Sequence, residues 1–203
     1  MTRTDRTPRR RLDPVERRAD ILDAATLAFR AAPYPDVAVA DVAAAADSSE
    51  ALVHKYFGGK ADLYAEVLRM GIDGFVARQA SALAALPDGV PIRDRVRAIT
   101  LAHLDEIATA PAGWASAARR PAGEPETAEA VRAAAREADV ARLRAILRPS
   151  TTIRHDYALT AWFGFLDEAG RRWADQGCRA DDRWSIVDAA LGALEGALGD
   201  WAA

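Results

Sequence analysis

A single cysteine, Cys178, leaves nothing from which to build an internal disulfide framework or a multi-cysteine zinc site, and it reads as a spectator thiol. No apolar run approaches the roughly 18 residues of a membrane helix, and the arginine-rich start lacks the apolar stretch of a secretory signal. The sequence therefore predicts no membrane partner and a cytoplasmic location. Histidine is scarce too. His54, His103 and His155 do not cluster, and although His103 and Glu106 lie one helical turn apart, a metal site needs a second such pair. No metal and no cofactor are expected. No serine or cysteine stands in a nucleophile context, and no glycine-rich phosphate loop follows a strand, so the chain is read as a non-enzyme without catalytic residues. Strand-like alternation bounded by turns is also missing, which makes the expected fold all-α.

Half of the 203 residues are apolar, enough for a substantial core. The net charge of −3 argues against non-specific coating of nucleic acid. Its distribution is uneven, however: Arg3, Arg6, Arg9, Arg10 and Arg11 face one acid, Asp5, in the first eleven residues. Residues 1–13 read as a flexible basic arm, either a solvated tail or a segment that reaches phosphates or an adjacent minor groove.

From Pro14 onward the pattern is helical. Val15, Arg18, Leu22, Ala25 and Phe29 recur at helical spacing behind an Asp13 cap and Pro14, and Pro33-Tyr34-Pro35 forces an end by Ala32. A short helix opens at Asp36 or Ala38 and runs to about Ala45. After a turn at Ala46-Asp47-Ser48, a third helix spans Ser49 to Tyr56, capped by Ser49 and stopped by Gly58-Gly59. So short a helix is stable only when packed on neighbours. A short packed helix presenting His54 and Lys55 outward suits a DNA major groove.

Longer helices follow from about Lys60 to Leu86, Ile92 to Thr109, Glu126 to Leu147, Thr152 to Gln176 and Asp182 to Trp201, with a weak segment near Trp114 to Arg119. On Glu126 to Leu147 the expected apolar positions are Val131, Ala134, Ala138, Ala141 or Leu143, and Ile146.

The residues Ile21-Leu22-Asp23-Ala24-Ala25 and Phe29, Tyr34, Val39-Ala40-Asp41-Val42-Ala43, Ser49 through Phe57, and Gly59-Lys60-Ala61-Asp62-Leu63 together resemble the TetR family of bacterial transcriptional regulators. The resemblance covers about the first quarter to a third of the chain. It implies a three-helix helix-turn-helix DNA-binding head over 14–59 and a C-terminal helical ligand-binding and dimerisation domain over 60–203. It further implies a homodimer, double-stranded operator DNA as partner, and a small-molecule effector. Positions matching the family's contacts are Ser48, Ser49, Ala51, His54, Lys55, Tyr56 and Lys60; Ser49, His54 and Lys60 are assigned to phosphates, and Lys55 and Glu50 to base edges. The chain departs from the family pattern at Pro33, at Val37 and Ala38 where a capping hydroxyl is usual, at Asp47 in place of the turn glycine, and at His54 in place of tyrosine. Without that hydroxyl, the cap of the second helix is expected to move to Asp36.

Phe75, Leu101, His103, Leu104, Trp114, Trp162 and Phe163 are the candidate walls of an apolar effector cavity, with core packing as the competing role of each aromatic. Along the last helix, Trp184, Val187, Leu191, Leu194, Leu198 and Trp201 form one seam. Ala189, Gly192, Ala193, Gly196 and Ala197 form a nearly bare line that permits close helix approach. The candidate dimer interface is Trp184, Ala189, Gly192, Ala193 and Gly196. The functional expectation is a ligand-responsive repressor released by a small apolar or aromatic effector. Its rival is a helical small-molecule-binding protein whose head has lost DNA binding.

Overall fold

A computed structural model describes residues 13–109, 123–148 and 152–199. Trp114 and Trp201, the segment 114–119 and the arginines of the arm lie outside the described residues. Eight α-helices and two single 3-10 turns occur among the described residues, with no strand. The chain divides into two units, residues 1–67 and 68–203.

The first unit contains α1 (Pro14–Ala31), α2 (Val39–Ala45), α3 (Glu50–Phe57) and the start of α4 (Lys60–Ala84). The Asp13 carboxylate accepts from the Val15 amide, and Pro14 sits where its missing N–H costs no helical bond. Asp36 does not cap α2. Tyr34-Pro35-Asp36 closes a 3-10 turn, leaving Ala38 at the cap position with no side-chain bond to the helix. The second helix thus starts on backbone alone, and its stability comes from Val42 and Ala43, which are buried among Ile21, Ala25, Val53, Phe57 and Leu63. Full burial of each large aliphatic side chain there is worth about 1.5–3 kcal/mol. Leu63 is fully buried and Val67 packs on the same cluster, which carries this unit past the expected boundary at residues 59–60.

The second unit contains the rest of α4, then α5 (Ile92–Thr109), α6 (Glu126–Leu147), α7 (Ile153–Asp175) and α8 (Arg183–Leu198). Leu104, Ile107, Leu143, Leu159, Leu166, Leu191 and Leu194 are at most 2% exposed and anchor its core. The apolar register expected for α6 holds at Leu143, which is buried, and at Val131 and Ile146, which are half-buried, and is corrected at its alanines. Ala134, Ala138 and Ala141 are exposed, whereas Ala128, Leu143 and Leu147 are buried, and Arg132, Arg136, Asp139 and Arg142 occupy the half-buried side. Those charges are tolerated there because they are paired: Arg132 with Glu124 at 2.7 Å, Arg136 with Asp167, and Arg142 with Asp139.

α8 separates two faces. Val187, Ala190, Leu191, Leu194 and Leu198 are buried, while Ala189, Gly192, Ala193 and Gly196 are exposed at helical spacing. The α-carbons of Gly192 and Gly196 look onto open space. Trp184 remains 57% exposed, and Ile153 and Tyr157 on α7 are more than 70% exposed.

No described helix is long and apolar enough to cross a membrane.

Candidate DNA-reading head and effector cavity

The turn between α2 and α3 needs one residue in the left-handed region, and Asp47 takes it at φ +45°. Aspartate adopts this conformation at lower cost than most side chains. The arrangement is held from outside: the Arg17 guanidinium on α1 donates to the Asp47 carbonyl at 2.7 Å, and the Ser48 amide donates to Ala43 at 2.8 Å. Arg17 was not recognisable as a turn clamp in the sequence, because a contact thirty residues away leaves no periodic trace. Ser49 then caps α3, its hydroxyl accepting from the Leu52 amide at 3.4 Å, and Gly58 ends it at φ +81°. A side chain at 58 would be strained by that φ and would meet the Asp62 carboxylate at 2.8 Å.

Val53 and Phe57 turn inward, so Glu50, Ala51, His54 and Lys55 are the exposed residues of α3. His54 Nδ1 lies 3.2 Å from the Gly58 carbonyl, which orients the ring along the helix end. Tyr56 is half-buried against the head's core. Two other sequence candidates are differently employed. The Ser48 hydroxyl is buried without a hydrogen-bond partner among the described residues, so it does not present itself to a phosphate in this conformation. Lys60 Nζ donates to the Pro35 carbonyl at 3.2 Å and lies 4.3 Å from the Tyr34 ring centre, fastening α4 to the turn before α2. Burial and then the nearby Asp62 carboxylate push the Tyr34 phenol upward. Arg18 is likewise occupied, paired with Glu66 at 2.7 Å over the Phe57 face. Lys55 and Lys60 are the only lysines of the whole chain. Lys55 alone of the two points outward without such a contact.

In the second unit a cavity of about 100 Å³ opens between α4, α5, α6 and α7. Its walls are Val76, Ala80, Leu83, Ile99, Leu143 and Ile146, together with Trp162 and Phe163, whose rings meet edge to face at 5.2 Å. Of the expected wall residues that lie within the described part, Trp162 and Phe163 alone are there. Leu104 is fully buried in the core, Leu101 packs on that core, and Phe75 stacks edge-on with His103 at 5.6 Å, away from the lining. Helical spacing put these side chains on inward faces correctly but could not distinguish a filled interior from a hollow one. Missed were Gln79, Asp139 and Arg142, the polar lining. Burial pushes the Asp139 carboxyl above its ordinary range, against the pull of Arg142 and Arg136. Cys178 is half-buried, and burial pushes its thiol upward, toward the unreactive protonated form.

His103 Nε2 is buried, and burial, reinforced by Arg136, lowers the ring to about 4 from 6.5. The folded chain then binds fewer protons than the unfolded one between these values. Stability is full above about pH 6.5 and falls as the pH drops toward 4, by about 3 kcal/mol. Chemical denaturation at pH 7 and pH 4.5 should show a markedly smaller loss in His103→Leu than in the parent. An equal loss in both would assign the acid sensitivity elsewhere.

Residues 21–67 match the family model of bacterial regulatory proteins, tetR family. Comparison with curated proteins returned no match. In fold the chain is similar to a transcriptional regulator from Pseudomonas aeruginosa PAO1 (TM-score 0.76, 18% identity, covering 94% of this chain and 95% of that one). It is also similar to a tetR-family regulator from Streptomyces coelicolor (0.72, 20%, 92% and 80%). A third similar structure is FadR from Bacillus subtilis in complex with stearoyl-CoA (0.66, 17%, 89% and 97%). The likeness in fold agrees with the sequence match over the head, and that match identifies residues 21–67 as a DNA-binding region of the tetR-family type.

Proposed function

We propose that the chain is a homodimeric repressor that binds operator DNA through α3 and is released from it by a small apolar or aromatic effector. The observation that carries this reading is the exposed face of α3, where Glu50, Ala51, His54 and Lys55 project from a helix fixed by the Ser49 cap, the Arg17 clamp and the head's core. Two such helices enter successive major grooves when about 34–36 Å apart. An effector that prefers another spacing lowers DNA affinity by its differential affinity for the two states. α4 is the natural carrier, since it supplies Leu63 to the head's core and Gln79 to the cavity lining. The bare exposed line on α8, with Trp184, is the dimer face. An apolar effector suits the cavity walls, and the similar FadR is itself complexed with an acyl-CoA. The rival reading, a binding protein with a lost DNA head, is not favoured by a head that still matches the family model.

The folded head is acidic, which gives the arm its role. Residues 13–67 hold ten acids against five bases: Arg17, Arg18, Arg30, Lys55 and Lys60. Three of the five are engaged within the head, at Asp47, Glu66 and Pro35. Neutralisation of operator phosphates falls to Arg3, Arg6, Arg9, Arg10 and Arg11.

Selection of bound sequences from random DNA, followed by mobility shifts on the recovered site, tests the whole. Lys55→Ala should weaken specific binding by about 1–3 kcal/mol if it reads a base edge, with no change in melting temperature. Operator binding unchanged in a folded His54→Ala, Lys55→Ala double variant would remove α3 from the role given to it.

A further inference from the structure

We infer that the cavity takes a compact neutral molecule, an apolar body bearing one hydrogen-bond donor beside one acceptor, and that the Gln79 amide is the group that recognises it. The inference rests on the effector-binding reading and names the ligand class for that same site.

Three polar side chains line the cavity, and two are already satisfied. Arg142 donates to Asp139 one helical turn away, closing a neutral pair. The Trp162 indole, an aromatic wall, sends its N–H to the Ala190 carbonyl at 2.8 Å and keeps none for a guest. Gln79 differs from both. It is 8% exposed, it lies among aliphatic and aromatic walls, and its amide makes no hydrogen bond to any described residue. Its amide atoms are not among the fully buried ones that lack a partner, so they stay open to the cavity, where water or a guest can meet them. A methionine or leucine would line the same place on α4 but could not return a hydrogen bond to a polar guest. The amide makes sense as a group that acquires its partner on ligand binding.

The chemistry of that partner follows from the site. A carboxamide offers an N–H donor and a carbonyl acceptor side by side, and it is matched on both by a lactam or another amide edge. A net charge does not fit: an anion would confront the Asp139 carboxyl, a cation the Arg142 guanidinium, and neither member of that pair can be released without stranding the other in a half-buried place. Size sets the last limit. An engineered apolar cavity of about 150 Å³ admits benzene, so a space of about 100 Å³ suits a guest of about five or six heavy atoms. Long acyl chains require more room than this conformation offers, since pockets that enclose drug-sized ligands run to about 300–1,000 Å³.

The test uses the full chain and four matched probes: 2-pyrrolidinone, cyclopentanone, which lacks the donor, pyrrolidine, which is cationic, and benzene. Binding is followed by saturation-transfer NMR and by the shift in melting temperature. The expected result is at least tenfold tighter binding of 2-pyrrolidinone than of cyclopentanone or pyrrolidine. That preference should be lost in Gln79→Met and reduced in Gln79→Asn, which draws the amide back by one methylene. The Asn variant also decides the matter if the Met variant fails to fold. A preference for 2-pyrrolidinone that survives in Gln79→Met overturns the inference. So does wild-type binding of benzene with no advantage for the lactam, which leaves the cavity standing as an effector site. Binding of none of the four probes overturns both this inference and the cavity's assignment as an effector site.

Discussion

Deleting residues 2–11 should remove most operator affinity at physiological salt while leaving the melting temperature unchanged. The folded head cannot supply the missing charge, because its acids outnumber its bases two to one and three of its five bases are already held by the protein itself. The arm also has a suitable root. Arg17, one helical turn past Asp13, reaches the Asp47 carbonyl just ahead of the Ser49 cap, so α1 begins beside the N-terminal end of the recognition helix. Ten extended residues span about 33 Å, enough to follow the backbone past the adjacent groove. If three arginines per protomer meet phosphates, a dimer loses six contacts on deletion, and the slope of log K against log salt becomes shallower by about 5. Fluorescence anisotropy across a potassium chloride series measures this directly. An unchanged slope in the deleted protein would return the arm to the status of a solvated tail. A loss confined to operators with A·T-rich flanks would place it in the minor groove rather than along the phosphates.

Gly192→Arg should convert the dimer to monomer at micromolar concentration, a weakening of roughly 100-fold or more, equivalent to about 3 kcal/mol. Gly192 and Gly196 have open space at the position of a side chain, and Ala189 and Ala193 beside them add only methyl groups. Two copies of such a line can approach closely about a two-fold axis. There, each substitution is felt twice and the two introduced guanidinium groups would meet. Because Gly192 faces away from Val187, Leu191 and Leu194, the fold of each subunit should survive. Sedimentation at several concentrations, with circular dichroism as the check on folding, separates loss of assembly from loss of structure. A variant that still sediments as a dimer would move the interface off this face of α8. Operator affinity should fall with the dimer, since one head reaches only a half-site.

The parts of the chain legible in its sequence are those with local causes. Asp13 with Pro14, Ser49 and Gly58 each act within four residues, and the helices they bound begin and end as expected. On α8 the leucine and glycine faces were legible, because these residues at helical spacing differ sharply in what they can bury, but Trp184, read with the leucine seam, is 57% exposed. Where causes are distant, the reading failed. Asp36 was given a cap it does not make, since Pro33 and Pro35 fold Tyr34-Pro35-Asp36 into a turn of its own. On α6 the alanines were read as apolar positions and the arginines were not placed. In the fold the small side chains lose little by facing water, and long arginine stems can lie inward once Glu124, Asp167 and Asp139 receive their charges. The cavity was hidden for a related reason. Its aromatic walls Trp162 and Phe163 stand out in the sequence, but nothing there marks Gln79, one polar residue on a long helix, as facing into it.

The Trp162 indole belongs to two places at once: its ring is part of the cavity wall, and its N–H grips α8 at Ala190, next to the exposed Ala189. On the proposed reading, in which α8 is the dimer face, a guest that tilts the ring would change the anchorage of the helix through which two subunits meet. Linkage then runs in both directions, so that whatever the guest does to association, association does to the guest. Effector affinity should accordingly depend on the concentration of the protein itself. A titration on dilute, dissociated chains and one on concentrated, paired chains should return different constants, and the ratio between them measures the free energy that passes through a single indole.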